Sequence, residues 1–270
     1  MAGGYSPRAG RLKARTLFLS DLHLGYRHAR VRELNEFLSR IEAQLIVLVG
    51  DIVDALSLAR RAYWSAEHTQ VVRTLLARQR AGARLIYIPG NHDASLAMLA
   101  QMLQGQFEVH REWVHRTARG ERLLVLHGDQ FDGHVRCARW LQRLGDASHG
   151  LTVGVSNFVN NVRRACGRPY WALTEPVKLR LGVAARYIAQ FESLAAAHAR
   201  AQGYDGVVCG HIHRANLTAI DGVVYANTGD WVESCSALTE NEAGELSLLR
   251  WAQLQDPALH GARRCVVHAA

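Results

Sequence analysis

Five short polar motifs follow five apolar segments of the chain, and each carries side chains that can bind a metal ion or move a proton. They are DLH (residues 21–23), GDIVD (50–54), GNHD (90–93), HGD (127–129) and GHIH (210–213). Any one of them could be a turn or a helix cap, because Gly, Asn and Asp are ordinary turn residues. Turn chemistry does not account for five in succession, so the repetition indicates one reaction centre.

The residue types in these motifs suit a centre with two metal ions. Asp21 and His23 are two residues apart, as are His211 and His213, so that each pair can converge on neighbouring ions. A carboxylate such as Asp51 can bridge two cations, because both of its oxygens carry spare lone pairs. Imidazole and carboxylate ligands without thiolates favour Mn, Fe, Zn or Co. Two such ions would activate water for attack at phosphorus.

An alternation of strands and helices must position the motifs. Apolar, β-forming segments lie at 17–19, 45–49, 85–88, 123–126, 206–209, 223–225 and 246–251. Helical spacing precedes the second and third of them, at Val31, Leu34, Leu38 and Ile41 and at Val71, Val72, Leu75 and Leu76. This order predicts an α/β fold with βαβ units on a largely parallel sheet, whose strand ends carry the motifs. The later strands predict a second, more antiparallel part.

Residues 131–190 carry a helical pattern throughout and predict a helical insertion in the α/β scaffold. They contain nine basic and three acidic residues, which is +6 of the net charge of +8. Such an excess favours an anionic partner. The alternative is a solvated helix face that only covers the sheet. Residues 253–270 show no period and predict a loosely held tail.

Cysteine spacing and hydropathy indicate the cellular compartment in which the protein is expected. Five cysteines without CxxC spacing argue against a disulfide framework and against a structural zinc site, which predicts a reduced, cytoplasmic protein. No signal-peptide core is present, and no apolar stretch approaches the roughly 20 residues that a membrane span needs. Any membrane contact is therefore expected to be peripheral.

The ordered motifs DLH, GDIVD, GNHD, HGD and GHIH resemble those of the calcineurin-like metallophosphoesterases. The resemblance implies a four-layer α/β/β/α sandwich with a dinuclear metal site at the strand ends. It predicts one domain over residues 14–252, with the helical insertion as a cap over about 131–190 and a tail over 253–270. The implied activity is metal-dependent hydrolysis of a phosphoric ester or pyrophosphate.

The resemblance also assigns roles to residues. Two divalent ions are implied, with Mn as the first choice and Fe, Zn or Co as alternatives. One ion would be held by Asp21, His23, Asp51 and His213, and the other by Asp51 as the bridge, Asn91, His127 and His211. His92 would face the phosphate and stabilise charge or protonate the leaving oxygen. Asp93 would orient His92 by accepting its other N–H.

Three further features resemble the UDP-2,3-diacylglucosamine diphosphatases, which release UMP and a lipid monophosphate in lipid A synthesis. They are the segment NTGDWVESC (227–235), the extension HGDQFD (127–132) and the basic cap. The resemblance implies a phosphorylated small-molecule or lipid substrate and peripheral contact with the cytoplasmic face of the inner membrane. The predicted substrate-binding residues are Asn157, Asn161, Arg163, Arg164 and Lys178.

One departure leaves the substrate open between the same lipid, cleaved by a sister branch, and another phosphodiester or pyrophosphate. The best-known lipid A hydrolases of this type carry Arg where this chain has His92. The alternative is a metal-dependent phosphodiesterase or nuclease that acts on a nucleotide or nucleic acid. A nucleic-acid-binding protein without turnover ranks lower, because the aromatic residues are not regularly interleaved with the basic ones. A noncatalytic scaffold ranks lowest, since no ligand position of the family is missing.

Overall fold

Two mixed β-sheets form the centre of the protein. The computed structural model describes residues 12–103, 105–133, 163 and 182–255. The first sheet contains β1 (Leu12–Leu19), β2 (Ile41–Val49), β3 (Arg84–Ile88), β4 (Glu108–Val109), β10 (Ser236–Glu240) and β11 (Leu246–Arg250). The second contains β5 (Trp113–Arg116), β6 (Arg122–Val125), β7 (Gly206–Cys209), β8 (Asn216–Ile220) and β9 (Val223–Asn227). Their strand orders are β11-β10-β1-β2-β3-β4 and β5-β6-β7-β9-β8.

Helices cover the outer faces of the sheets. They are α1 (Val31–Arg40), α2 (Ala55–Arg60), α3 (Ala66–Arg80), α4 (Leu96–Met102), α5 (Gly182–Ala201) and α6 (Trp251–Gln255), with a 3₁₀ turn at Asp129–Phe131. The two helices predicted from apolar spacing are confirmed as α1 and α3, although Ile41 begins β2 instead of ending α1. Within the described residues, no helix combines the length and apolar content that a membrane span needs.

The side chains of the strands alternate between two apolar layers. In β1, Leu17 and Leu19 pack with α1, whereas Phe18 packs in the layer between the sheets. In β6, Leu124 faces α5, whereas Leu123 turns to the layer between the sheets. This follows from the two-residue period of a strand, which sends successive side chains to opposite faces. The predicted order of helix, sheet, sheet and helix layers is therefore confirmed.

The second sheet is less antiparallel than its sequence predicted. Its central strands β6, β7 and β9 run parallel, and only the edge strands β5 and β8 pair antiparallel. A parallel pair needs a long crossover, usually a helix. The helix α5, between β6 and β7, supplies it and packs Phe191, Ala195 and Ala199 against the second sheet.

Most of the predicted cap lies outside the described residues, as do Asn157, Asn161, Arg164 and Lys178. Arg163 is described as a helical, partly buried residue. The last residues of the predicted insertion, 182–190, form the first half of α5, which continues to Ala201. In the predicted tail, 253–255 end α6 and the remainder is outside the described residues.

A buried carboxylate, that of Glu240 in β10, ties the two sheets together. It accepts hydrogen bonds from Arg15 at 2.7 Å and from the Thr16 hydroxyl at 2.7 Å, both in β1. His115 in β5 of the second sheet donates to it at 2.7 Å, and so does the backbone N–H of Ala118. Burial alone would raise the pKa of Glu240, but the hydrogen bonds from His115 and Thr16 outweigh it and lower the pKa to about 2.

Replacement of this carboxylate should destabilise the fold. We expect Glu240→Gln to lower the free energy of unfolding by about 3 kcal/mol, because removing one partner of a buried ion pair leaves the others unsatisfied. The folded pKa is depressed, so the stabilisation is present above pH 4.5 and is lost as pH falls towards 2. Urea titrations at pH 7 and pH 3 measure both effects. Glu36→Gln, on an exposed pair, is the control; equal losses in the two variants would contradict the account.

Candidate metal centre

The polar motifs of both sheets meet at one place. Asp21 and His23 follow β1, Asp51 follows β2 and His92 follows β3, all from the first sheet. His127 follows β6, and His211 and His213 follow β7, from the second sheet. The sequence predicted one sheet edge, whereas the structure joins the carboxyl ends of two sheets. The backbone N–H of His211 donates to Asp21 Oδ2 at 3.0 Å, which connects the two halves.

Strained backbone aims the side chains at this centre. Among the described residues, seven other than glycine have a positive φ, and five of them belong to the motifs: Asp21, His23, Asp51, His211 and His213. The left-handed conformation costs an ordinary residue about 1–2 kcal/mol, and it persists where the surroundings enforce it, often at functional sites. Glycine leaves room for close approach, since a Cβ on Gly50 would collide with His127 and one on Gly210 with Asp21.

Two groups of donor atoms match the predicted ligand sets, and a third, formed by His23, Asp54 and His92, overlaps the first. Asp21, His23 and His213 form the first, and Asp51, His127 and His211 form the second, with the donor atoms in each group within 4.8 Å of one another. In the first group, His213 Nε2 is 3.2 Å from Asp21 Oδ1 and 3.3 Å from His23 Nε2. Metal bonds to nitrogen or oxygen are about 2 Å long, so ligands of one ion lie about 3 Å apart. The spacing therefore fits a shared ion.

Asp51 lies between the two groups. Its Oδ2 is 3.8 Å from His23 Nε2 and 3.4 Å from His127 Nε2. Its Oδ1 accepts a hydrogen bond from the backbone N–H of His92 at 2.8 Å. One oxygen thus fixes the carboxylate, and the other faces both groups, which is the geometry that a bridging ligand requires.

Two buried atoms in the centre lack a hydrogen-bond partner among the described residues. His127 Nδ1 is 3.0 Å from the Val49 carbonyl, which can only accept, so Nδ1 carries a proton and Nε2 is the nitrogen that faces the centre. His127 Nε2 is buried and unsatisfied, and so is Asp21 Oδ1. A buried polar atom without a partner is costly. Each donor group contains one such atom, so the residues fit the two predicted divalent ions.

Carboxylates outside the predicted ligand set hold two of the imidazoles. Asp54 Oδ2 lies 3.2 Å from His23 Nδ1, and Asp132 Oδ1 lies 2.8 Å from His211 Nε2. Such partners fix the tautomer and leave the other ring nitrogen for a metal. Neither aspartate was predicted to act in the site. The signal was present, because each ends a quoted motif, GDIVD or HGDQFD.

The electrostatics of the centre favour positive charge. Burial would raise the pKa of Asp51 and Asp21, but neighbouring imidazoles, His127 for Asp51 and His213 for Asp21, outweigh it and lower both. Burial would lower the pKa of His127, yet Asp51 and then Asp21 raise it to about 10, so Nε2 carries a proton that a metal ion would displace. The carboxylates therefore remain anionic and attract a cation.

His92 lies at the rim of the centre, with its ring 4.9 Å from that of His23 and its side chain 33% exposed. Its Nδ1 is 3.2 Å from Asp54 Oδ1. The prediction that Asp93 orients His92 is wrong, because the carboxylate beside the His92 ring is that of Asp54. The Asp93 carboxylate is instead occupied by four other donors, the backbone N–H groups of Ile52, Val53 and Gly90 and the Tyr87 hydroxyl.

Asn91 remains a prediction as a ligand. It follows Gly90, where a Cβ would meet Asp51 and His127, so this turn runs directly against the second donor group. The Asn91 side chain is exposed and forms no hydrogen bond with another described residue.

Removal of a central donor should remove metal. We expect the Mn-loaded protein to hold about two ions per chain, and Asp51→Ala or His127→Ala to hold one or none. The rate should fall at least about 100-fold, because ligands matter more than the groups that orient them. Elemental analysis and hydrolysis assays measure both, with Glu36→Ala as a surface control. Full metal content in Asp51→Ala would refute the bridging position.

The two neighbouring aspartates should behave differently. Asp93→Ala should lower the free energy of unfolding by about 2 kcal/mol, because several backbone N–H groups lose their acceptor. Asp54→Asn keeps a good helix cap for α2, so its stability should change little while kcat falls about 10-fold or more. Thermal melts and steady-state kinetics separate the cases. The reverse pattern would restore Asp93 as the group that orients His92.

The comparison with protein families agrees with this geometry. Residues 14–215 match the family model for calcineurin-like phosphoesterases. No curated protein matches the chain. Among solved structures, the phosphoesterase Yfce from E. coli is 15% identical, with 94% of this chain and 96% of that chain covered and a TM-score of 0.46. An archaeal phosphodiesterase is 12% identical, with 87% and 98% covered and a TM-score of 0.45.

A third solved structure is that of Vps29 complexed with Zn²⁺ from Entamoeba histolytica, at 15% identity, 87% and 90% coverage and a TM-score of 0.42. The matched range of the family model covers well over half of the chain and includes both donor groups and His92. The chain therefore belongs to the calcineurin-like phosphoesterase family and is a metal-dependent phosphoesterase.

Proposed function

We propose that the protein is a metal-dependent phosphodiesterase that acts on a nucleotide-type substrate with an alcohol leaving group. The observation that carries the proposal is His92, an imidazole 33% exposed at the rim of the two donor groups and held by Asp54. An alkoxide is a poor leaving group and needs a proton, which a histidine can donate.

The proposed ligand sets follow the two donor groups. Asp21, His23, Asp51 and His213 would hold one divalent ion, and Asp51, Asn91, His127 and His211 the other, with Mn as the first choice. When bound, the ions would polarise the phosphoryl group and lower the pKa of a bound water. The chain itself fixes the ligands: Asp54 and Asp132 hold His23 and His211, and the Val49 carbonyl holds His127.

The identity of residue 92 separates two kinds of substrate. Hydrolysis of a pyrophosphate releases a phosphate group, which departs readily without a proton, so the arginine of the lipid A hydrolases suffices to stabilise its charge. Arginine cannot serve as a proton donor in proteins because it does not deprotonate. Histidine titrates near neutral pH and can. His92 therefore favours an ester over a pyrophosphate.

The lipid-linked pyrophosphate is the second candidate, suggested by the segment 227–235. In the structure this segment is buried and hydrogen-bonded internally. Asp230 Oδ1 accepts from the backbone N–H of Val232 at 2.7 Å, and Asn227 Nδ2 donates to the Gly210 carbonyl at 2.7 Å. The Asn227 contact supports the loop before His211 and the Asp230 contact supports the segment itself, so a structural role accounts for the segment without a lipid.

The remaining support for that candidate is the predicted cap, with Asn157, Asn161, Arg163, Arg164 and Lys178 as substrate contacts. A cytoplasmic location at the inner membrane surface belongs to the same candidate. The comparison of substrates below distinguishes it from the phosphodiesterase.

A panel of substrates should identify the reaction. We expect the Mn-loaded protein to hydrolyse a thymidine dinucleotide faster than UDP-2,3-diacylglucosamine and faster than p-nitrophenyl phosphate, a monoester. Chromatography of the products measures each rate, and the Asp51→Ala variant is the control for contaminating activity. Consumption of the lipid substrate alone would establish the second candidate in place of the phosphodiesterase.

The role of His92 can be tested with two leaving groups. His92→Ala should keep its metal and lose about 100-fold in kcat on the dinucleotide, the range expected for a general acid. The loss should be much smaller on bis(p-nitrophenyl) phosphate, because p-nitrophenolate leaves without a proton. Equal losses on the two diesters, or a metal-free variant, would remove the assigned role.

A further inference from the structure

A basic pocket adjoins the metal centre. It lies between the loop after β1 and the segment around α2 and has a volume of about 520 Å³. The residues that give it chemical character are three arginines, two tyrosines and a serine: Arg27, Arg60, Arg61, Tyr26, Tyr63 and Ser57. None of them belongs to the ligand sets proposed above.

Two residues that line the pocket contact residues of the centre. The ring of Tyr26 lies 6.4 Å from that of His23. The backbone N–H of Ser57 donates to Asp54 Oδ1 at 2.7 Å, and Asp54 also contacts His23 and His92. The pocket is therefore next to Asp54, whose carboxylate holds the imidazole proposed to protonate the leaving oxygen.

The three arginines leave a positive charge in the pocket. Arg27, Arg60 and Arg61 are exposed, and none forms a side-chain hydrogen bond or an ion pair with another described residue. Among the described residues that line the pocket, none has a carboxylate side chain. Single exposed arginines are commonly solvated, but here three of them line one concavity. Guanidinium groups of this kind bind phosphate with paired hydrogen bonds.

The tyrosines add aromatic surface beside this charge. Tyr63 is 40% exposed, and its ring packs against that of His68 at a centroid distance of 5.6 Å. Tyr26 is half-buried, and burial together with the carboxylate of Asp54 raises the pKa of its hydroxyl, which therefore stays a hydrogen-bond donor. Aromatic side chains of this kind stack on nucleobases.

We propose that this pocket is a nucleoside phosphate subsite, in which Arg27, Arg60 and Arg61 bind a phosphate next to the scissile one and Tyr63 stacks on the base. The proposal deepens the phosphodiesterase assignment and rests on it for the identity of the ligand. The volume lies within the 300–1,000 Å³ typical of small-molecule sites. A free nucleotide and a strand of nucleic acid offer the same chemistry.

Calorimetry of the Mn-loaded, full-length protein with ADP and with inorganic pyrophosphate tests the subsite. Arg60→Gln combined with Arg61→Gln should weaken the binding of both probes about tenfold or more, because both present phosphate. Tyr63→Ala should weaken ADP about tenfold and leave pyrophosphate unchanged. Arg80→Gln, an exposed arginine at the end of α3 and outside the pocket, should change neither. A matching titration with a short thymidine oligonucleotide distinguishes a strand from a free nucleotide by the tighter binder.

The possible outcomes distinguish the subsite proposal from the phosphodiesterase proposal on which it rests. ADP affinity that is the same in the Arg60/Arg61 variant as in Arg80→Gln would overturn the subsite, even if the protein hydrolyses diesters. Equal weakening of ADP and pyrophosphate by Tyr63→Ala would overturn the stacking. Failure of the wild type to hydrolyse any diester would overturn the phosphodiesterase assignment, while the binding data would still decide the pocket.

Discussion

The constraint on which the centre depends is the burial of carboxylate and imidazole atoms close together without hydrogen-bond partners. Asp21 Oδ1 and His127 Nε2 are buried and unsatisfied, and Asp51 Oδ2 lies between His23 and His127. Buried polar and charged atoms of this kind lack solvation. Only positive charge relieves this arrangement. The left-handed backbone of the motif residues and the glycines beside them serve to maintain it.

The two-sheet architecture explains how the arrangement is held. Neither sheet supplies a complete donor group. Asp21 and Asp51 come from the first sheet, whereas His127, His211 and His213 come from the second. The sheets must therefore stay in fixed relation. The apolar layer between them contains side chains of both, and Glu240 joins β1 and β10 of the first to His115 of the second. The contacts that stabilise the fold therefore also fix the geometry of the metal centre.

The sequence predicted those parts of the fold and of the site that depend on residues close together in the chain. Short apolar runs identified β1 to β3, and the motifs that follow the strands identified the residues that converge. Contacts between turns could not be predicted in this way. Asp93 was assigned to His92 because they are neighbours in the chain, whereas Asp54, from another turn, lies beside its ring. The strand β10 was missed because Glu240, a buried charge, appears as a surface residue until its partners are known. The parallel core of the second sheet was missed for a similar reason, since its crossover helix α5 lies far along the chain from β6.

The measurement that tests the central claim most directly is an anomalous difference map from crystals of the Mn-loaded protein. We predict two peaks about 3.5–4 Å apart on either side of Asp51. A single peak, or a peak within the neighbouring group of His23, Asp54 and His92, would contradict it.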